Sequence, residues 1–208
     1  MKKQILLFDF DGTIADTFMQ IVEISNRLSP EFKFKLIHPH EIDILKHNTL
    51  EETIEYLHVP KLKIPRILLR ARAELHKDIN SIKPIKHIEE VLHKLKQQGF
   101  YMGIITTNSV KNVREFLQAH DLDFFDFISS TSKVFGKSNS LKTLIRKKKL
   151  KIEHAYYVGD EIRDIQAAKR AGIKMIAVTW GFNAKDILQK HNPDYLISTP
   201  SELVKILH

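Results

Sequence analysis

Acidic residues cluster in two turns of the chain, each of which follows a short apolar run. These residues are Asp9, Asp11, Asp160, Glu161 and Asp164. Carboxylates that converge on one site repel one another unless a cation lies among them. Hard oxygen ligands of this kind suit Mg²⁺, which shares its coordination shell with a substrate phosphate. A carboxylate beside that ion can attack phosphorus, so these residues predict metal-assisted phosphoryl chemistry.

Hydroxyl, amide and lysine side chains occur at corresponding places after other apolar runs. Thr106, Thr107 and Asn108 end the run that begins at Phe100, and Lys137 follows a weaker run at 124–128. We expect Lys137 to lie in a loop between a strand and the next helix. Ligands bind beyond the carboxyl ends of the strands in an open parallel sheet. We therefore expect the polar and acidic residues to meet at one edge of such a sheet.

The elements that position these residues alternate along the chain. Apolar runs predict strands at 4–8, 100–105, 124–128, 155–158, 174–178 and 195–197. Apolar residues at helical spacing predict helices at 110–120, 141–150 and 162–171. Strands that alternate with helices predict an α/β fold, in which helices cover both faces of a parallel sheet. We therefore expect a Rossmann-like core of three layers.

One segment interrupts this alternation after the first predicted strand. Residues 17–82 show helical spacing, as at Ile21, Ile24 and Leu28, and contain no convincing pair of strands. The segment is about 65 residues long, which is enough for a small helical bundle. The expected organisation is a core of residues 1–16 and 83–208, with a helical insertion at 17–82.

Composition excludes several classes of site. The 208 residues are 43% hydrophobic and include no cysteine, so disulfides, thiolate zinc sites and cysteine nucleophiles are excluded. The sequence has no apolar run long enough for a membrane helix, and the simplest expectation is a cytoplasmic protein. The net charge of +8 equals the eight Lys and Arg residues of 133–151, a segment without Asp or Glu. Such a run is typical of a solvated helix end, and nucleic-acid binding is not favoured.

Four motifs, in the same order and at the same strand ends, resemble those of the haloacid dehalogenase-like hydrolases. They are DFDGTIADT at 9–17, IITTN at 104–108, Lys137, and GDEIRD at 159–164. The segments VTWGF at 178–182 and PDYLI at 193–197 resemble the phosphoglycolate phosphatase branch. The resemblance implies a Mg²⁺-dependent phosphatase in which residues 17–82 form a helical cap.

The resemblance also implies a role for each catalytic residue. Asp9 would be the nucleophile and would form an aspartyl-phosphate. Asp11 would be the general acid for the leaving oxygen and then the base for the attacking water. Thr106, followed by Thr107 and Asn108, would hold the phosphate through the Thr106 hydroxyl and nearby backbone N–H groups. Lys137 would bind the phosphoryl group and neutralise charge on it and on Asp9.

For the metal, the resemblance implies Asp9, the backbone carbonyl of Asp11, and Asp160 as ligands. Asp164 would hold metal-bound waters or orient Lys137. Glu161 has two open interpretations, either support of the metal site or a negative charge at a helix N-terminus.

The substrate expected from this resemblance is a small phosphorylated metabolite, with phosphoglycolate as a candidate. Two other functions stay open: a phosphotransferase such as a sugar-phosphate mutase, which would use the same aspartyl-phosphate, and a phospho-ligand binding module without activity. The chain could act as a monomer or a homodimer, and no membrane partner is expected.

Several other polar residues have a structural interpretation. Asp16 is expected to cap the first helix of the insertion, and Asn108 and Ser109 to cap the helix after them. The remaining candidates are expected to face water rather than to bind zinc or a second substrate anion: His38, His40, His47, Arg66, Arg70 and Arg72.

Overall fold

Six strands form one parallel sheet in the computed structural model, which describes residues 4–131, 137–148 and 152–207, the side chains of 137–140 excepted. The strand order is β3-β2-β1-β4-β5-β6, and every neighbouring pair is parallel. The α/β fold with a parallel sheet is therefore confirmed. The strands are β1 (Ile5–Phe8), β2 (Tyr101–Thr106), β3 (Phe127–Ser130), β4 (Ala155–Gly159), β5 (Lys174–Val178) and β6 (Tyr195–Ile197).

Helices cover both faces of this sheet, and further helices fill the insertion between β1 and β2. In chain order they are α1 (Phe18–Phe32), α2 (Ile42–His47), α3 (Leu50–Tyr56), α4 (Ile64–Asp78), α5 (Ile88–Gln97), α6 (Val110–Ala119), α7 (Lys137–Lys147), α8 (Ile162–Ala171), α9 (Lys185–Lys190) and α10 (Ser201–Ile206).

Alternate side chains of β1 enter two separate hydrophobic clusters. Leu6 and Phe8 pack in the cluster that α5, α6 and α10 help to form, whereas Leu7 packs with α7, α8 and α9. Since successive side chains of a strand point to opposite faces, this division gives the three-layer arrangement expected from the sequence.

The observed elements differ from the predicted ones mainly at their ends. β2 extends to Thr106, so this residue ends the strand instead of following it. β3 begins at Phe127, three residues later than predicted, because Phe124 and Phe125 lie in a turn where their rings pack on the core. Lys137 is the first residue of α7 and does not lie in a loop. β5, β6 and α8 have the predicted bounds.

Two chain segments connect the core with the cap, and they hydrogen-bond to each other. The N–H of Asp16 donates to the carbonyl of Lys83 at 2.9 Å, and the N–H of Ile85 donates to the carbonyl of Ile14 at 2.8 Å. Asp16 is exposed and does not cap α1, since Thr17 occupies the N-cap position. Within the cap, α1 packs against α4.

Among the residues described here, no helix is both long and apolar enough to cross a membrane.

Candidate active site

The turn after β1 fixes Asp9 at the end of the central strand. Its N–H donates to the carbonyl of Val158 on β4 at 2.8 Å, and its carboxylate accepts from the N–H of Phe10 at 2.8 Å. The Phe10 carbonyl then accepts the N–H groups of Ile14 and Ala15, at 2.9 and 3.0 Å. The Asp9 side chain is therefore held in one place by the tight turn and the sheet, and only 2% of the residue is exposed.

Three buried carboxylates converge at this point. One oxygen from each of Asp9, Asp160 and Asp164 lies within 4.8 Å of the others. Asp160 follows β4, which is adjacent to β1 in the sheet, and Asp164 lies in the first turn of α8. The convergence arises because the carboxyl ends of the two parallel strands lie side by side.

Asp160 lies in a space that two glycines leave open. A Cβ atom on Gly12 or on Gly181 would overlap the Asp160 side chain, and Gly12 also has a φ of +76°. The Asp160 carboxylate accepts hydrogen bonds from the Thr13 hydroxyl at 2.5 Å and from the Phe182 N–H at 2.8 Å. Thus, the loop after β1 and the loop after β5 enclose this carboxylate and position it.

The electrostatics of the cluster favour a bound cation. Burial raises the pKa of Asp160 well above its ordinary value, and the negative charges of Glu161, Asp9 and Asp164 raise it further, against the hydrogen bond from Thr13. A buried carboxylate that is destabilised in this way gains most from a positive ion nearby.

The chemistry of the donor set fits Mg²⁺. All the side-chain donors of the cluster are carboxylate oxygens, the hard ligands that this ion prefers. The backbone carbonyl of Asp11 belongs to the same turn as Asp9. The Asp11 carboxylate itself is outside the cluster of three, in agreement with a role for this side chain other than metal binding.

Arg163 supplies positive charge beside the cluster. Burial lowers the pKa of Arg163, but the charges of Glu161, Asp9 and Asp164 outweigh this effect and raise it overall. Its Nε donates to Glu161 at 2.9 Å. Sequence reasoning assigned no role to Arg163, although a signal was present: a basic residue in the first turn of a helix opposes the helix dipole and therefore calls for an acidic partner.

The loop after β2 brings together the residues expected to bind phosphate. The Thr106 hydroxyl accepts the N–H of Asn108 at 2.8 Å, and the Asn108 side chain donates to Asp11 at 3.1 Å. Ser109 caps α6 by accepting the N–H of Asn112 at 3.1 Å. The carbonyl of Thr107 is directed at the cap. Through Asn108, this loop therefore holds Asp11, the expected acid and base, close to the start of α6. Anions bind readily at such a helix start.

The remaining predicted site residues have mixed outcomes. Asp164 is part of the carboxylate cluster, and it also accepts the N–H of Glu161 at 3.1 Å. Glu161 is the N-cap residue of α8 in a capping box and pairs with Arg163, while its support of a metal site stays a prediction. The side chain of Lys137 lies outside the described residues, as does much of the basic segment 133–151. Its expected contact with the phosphoryl group stays a prediction.

Arg72 of the cap contacts the core, contrary to the expectation that it faces water. Its Nε donates to the carbonyl of Thr107 at 2.6 Å, and its Nη2 donates to the carbonyl of Thr131 at 2.7 Å. Burial lowers the pKa of Arg72, and the charge of Asp11 opposes this shift. By contrast, Arg66 and Arg70 pair with Glu31 within the cap, as their places on a helix surface suggested.

A second contact between cap and core involves Asn183, which sequence reasoning did not identify. Its side-chain amide donates to the carbonyls of Lys46 and Asn48 in the cap at 3.1 and 3.0 Å, and its oxygen accepts the N–H of Ile162 at 2.9 Å. Nearby, His47 pairs with Asp186 at 3.0 Å. The cap is therefore held against the site from two sides, with a cavity of about 340 Å³ between.

Comparison with known proteins agrees with this architecture. Residues 6–178 match the family model described as haloacid dehalogenase-like hydrolase. The phosphoglycolate phosphatase of Synechococcus elongatus is 29% identical over 203 residues, which are 97% of this chain and 96% of that protein. Pyrophosphatase PpaX of Bacillus mycoides is 28% identical and is covered over 98% of its length by the whole of this chain.

A solved structure gives the same result for the fold. A haloacid dehalogenase-like hydrolase of Streptococcus pneumoniae superposes with a TM-score of 0.80 at 23% identity, with 99% of each chain covered. The motifs, the parallel sheet, the helical insertion and the match over 6–178 together lead to one conclusion: the chain belongs to the haloacid dehalogenase-like hydrolases.

Proposed function

We propose that this protein is a Mg²⁺-dependent phosphatase that hydrolyses a small phosphate monoester through an aspartyl-phosphate on Asp9. The observation that carries the proposal is the buried group of Asp9, Asp160 and Asp164. Asp11, in the same turn as Asp9, lines a cavity. The names of two relatives make phosphoglycolate and pyrophosphate the first compounds to test. A cytoplasmic location is part of the proposal and rests on the sequence alone.

In this proposal, Mg²⁺ is held by Asp9, Asp160 and the backbone carbonyl of Asp11. Asp164 would hold metal-bound waters or bind the ion itself. When bound, the ion screens the repulsion between the phosphate and the carboxylates and stabilises charge on the phosphoryl oxygens. Its ligands need little rearrangement, because Thr13 and the Phe182 N–H already fix Asp160.

The first half of the reaction transfers the phosphoryl group to the protein. An Asp9 carboxylate oxygen forms a bond to phosphorus while the bond from phosphorus to the ester oxygen breaks. The leaving oxygen takes a proton from the Asp11 carboxyl and departs as the alcohol. This division of roles is supported by position, since Asp9 is buried in the cluster and Asp11 lines the cavity.

The second half returns the nucleophile to its starting state. The Asp11 carboxylate removes a proton from a water molecule, and the water oxygen attacks phosphorus. The bond between phosphorus and Asp9 then breaks and inorganic phosphate is released. The Asn108 amide, which donates to Asp11 at 3.1 Å, would hold the carboxylate in position for both proton transfers.

Two cations would stabilise the charge that develops on the phosphoryl oxygens. Lys137 begins α7, the helix that follows β3 in the chain, and β3 pairs with the strand that ends at Thr106. Arg163 lies close enough to Asp9 for their charges to interact. Fixed cations of this kind are worth several kcal/mol in a site that excludes water.

The test is phosphate release from phosphoglycolate, pyrophosphate, p-nitrophenyl phosphate and a panel of metabolite esters, with Mg²⁺ or with EDTA. We expect release to require Mg²⁺ and to fall by about 10⁴-fold or more in Asp9→Asn. Asp123→Asn is the matched control, because Asp123 is exposed in a loop away from the cluster. Undiminished release in EDTA or in Asp9→Asn, or no release from any ester, would contradict the proposal. Transfer of phosphate to a sugar instead of to water would point to the phosphotransferase alternative.

A further inference from the structure

We propose that the substrate's leaving group is apolar, an alkyl or aryl alcohol, and that it binds inside the cap. The inference rests on the proposed function, because it assumes that the phosphate lies at Asp9. It narrows the substrate to a chemical class that differs from phosphoglycolate and from pyrophosphate, both of which carry a second anionic group.

The cavity is lined by Asp11, which lies in the same turn as Asp9, and it extends into the cap. It has a volume of about 340 Å³ and is lined at one end by Asp11 and Asn108, and further in by Ile21, Ile54 and Leu68. This volume lies in the range of small-molecule sites. A leaving oxygen that is protonated by Asp11 would therefore have the rest of its alcohol directed into this space.

The charged residues that line the cavity either belong to the core or contact it. Asp11, Glu161 and Arg163 belong to the core, and Arg72 is the charged residue that the cap contributes among the described lining residues. Two guanidinium nitrogens of Arg72 already donate to the carbonyls of Thr107 and Thr131. The other cap residues that line the cavity are apolar, apart from the uncharged Ser25, Asn48 and Thr53. A carboxylate or a second phosphate among them would therefore meet no cation other than Arg72 within the described lining.

The apolar wall is formed by residues whose side chains retain access to this space. Ile21 on α1 and Ile67, Leu68 and Ala71 on α4 line the cavity and are only partly buried. Without a ligand, these apolar side chains remain in contact with water and lack the close packing that stabilises a core. An apolar ligand supplies that packing, whereas a buried anion without a partner would lose its hydration.

The first experiment measures kcat/KM for ethyl, butyl and hexyl phosphate with Mg²⁺, beside phosphoglycolate and pyrophosphate. The alkyl series keeps the leaving oxygen chemically constant and changes only the apolar volume. Each methylene that enters the cavity should raise kcat/KM about fourfold, so hexyl phosphate, which is four methylenes longer, should exceed ethyl phosphate by roughly 250-fold. A flat series, or preference for phosphoglycolate or pyrophosphate over hexyl phosphate, would overturn the inference.

A substitution inside the cavity tests whether the chain-length effect arises there. Ala71→Leu would fill part of the space, and we expect the ratio of hexyl to ethyl phosphate in kcat/KM to fall at least tenfold. Leu69→Phe is the matched control, because Leu69 is on the same helix, is 65% exposed and does not line the cavity. An unchanged ratio in Ala71→Leu, or an equal fall in Leu69→Phe, would place the effect elsewhere and overturn the inference.

Failure of this inference can be distinguished from failure of the proposed function. Hydrolysis of any of these compounds that requires Mg²⁺ and Asp9, without a gain from ethyl to hexyl, rejects the apolar leaving group and leaves the phosphatase standing. Absence of hydrolysis throughout rejects both. Calorimetry of the wild-type protein with Mg²⁺ and alkylphosphonates, which are not cleaved, gives a readout without turnover. Affinity should rise with chain length, and equal affinities for ethyl- and hexylphosphonate would contradict the inference.

Discussion

Asp160 has the most constrained environment of the candidate metal ligands. It is fully buried, two glycines leave room for its carboxylate, and two hydrogen bonds fix its oxygens. Without a cation, holding the Asp160 carboxylate beside those of Asp9 and Asp164 lowers the stability of the fold, because the buried negative charges repel one another. The same geometry is favourable once an ion replaces the missing positive charge.

Replacement of Asp160 by Asn should therefore uncouple folding stability from Mg²⁺. In the wild-type protein, Mg²⁺ at about 100 times its dissociation constant should add about 2.7 kcal/mol to the free energy of unfolding. In Asp160→Asn this gain should be nearly lost, because the ion loses a charged ligand. Thermal unfolding with Mg²⁺ or EDTA measures the difference, with the exposed Asp43→Asn as control. An equal gain in Asp160→Asn would show that the ion binds elsewhere.

Arg72 should contribute to catalysis although it belongs to the cap. Its charged hydrogen bonds to the carbonyls of Thr107 and Thr131 hold the loops after β2 and β3, and bonds of this kind are each worth about 1.5–3 kcal/mol. Arg72→Gln should therefore lower kcat/KM by roughly 10- to 100-fold. Arg70→Gln on the same helix should leave kcat/KM close to the wild-type value, since Arg70 pairs with Glu31 at the surface. Equal kcat/KM values for the two variants would reject this role.

The sequence allowed the acidic residues of the site to be predicted but not Arg72. Asp9, Asp160 and Asp164 follow directly from strand ends that a parallel sheet brings together. Which way the Arg72 side chain points depends on how α4 packs on the core. The sequence places three arginines on this helix, and their spacing does not show which of them contacts the core. Asn183 was missed for the same reason, because its partners are backbone carbonyls that are distant in sequence.

At the scale of elements, the prediction was most accurate where local signals agreed. α8 ends at Ala171, and the next residue, Gly172, has a φ of 73°, the left-handed conformation typical of a residue that follows a helix. β3 was misplaced because Phe124 and Phe125 are apolar without being extended, and Phe125 packs edge-on against Phe8. The short helices α2, α3, α9 and α10 have too few turns for a clear periodic pattern.

Glu41 stabilises the irregular segment between α1 and α2 by linking it to α3. Its carboxylate accepts from Lys35, from the Tyr56 hydroxyl at 2.6 Å and from the His38 N–H at 2.9 Å. These hydrogen bonds, with that from Lys35 the strongest, lower the pKa of Glu41 from its ordinary 4.5 to about 2. A carboxyl group whose pKa is lower in the folded state contributes stability above the unfolded pKa and loses it as the pH falls.

Glu41→Gln should therefore destabilise the protein at neutral pH and have less effect in acid. The stability difference between wild type and variant should be complete above pH 4.5 and should shrink as the pH falls towards 2. Denaturant unfolding across this range measures it, and hydrogen exchange can assign the loss to the cap. Glu51→Gln, an exposed change on α3, should show no such trend. A difference that stayed constant with pH would contradict the role of these hydrogen bonds.

In the molecule as a whole, the cap contacts the core at several places, three of which bear on how it could open. The two connecting segments pair near Asp16 and Lys83, Arg72 donates to the Thr107 carbonyl in the loop after β2, and Asn183 donates to the Lys46 carbonyl of α2. We propose that residues 17–82 move as a unit about the connecting segments, breaking the Arg72 and Asn183 contacts to admit substrate. Closure then excludes bulk water while the phosphoryl group is transferred.

The central claim is that Asp9 accepts the phosphoryl group, and the most direct test is to find that group on the protein. Wild-type protein is mixed with Mg²⁺ and a substrate ester, quenched in acid during turnover and analysed by peptide mass spectrometry. We expect one added phosphoryl group on the peptide that contains Asp9, and none on that peptide in Asp9→Asn. A phosphoryl group attached to another residue, or turnover in Asp9→Asn at the wild-type rate, would contradict it.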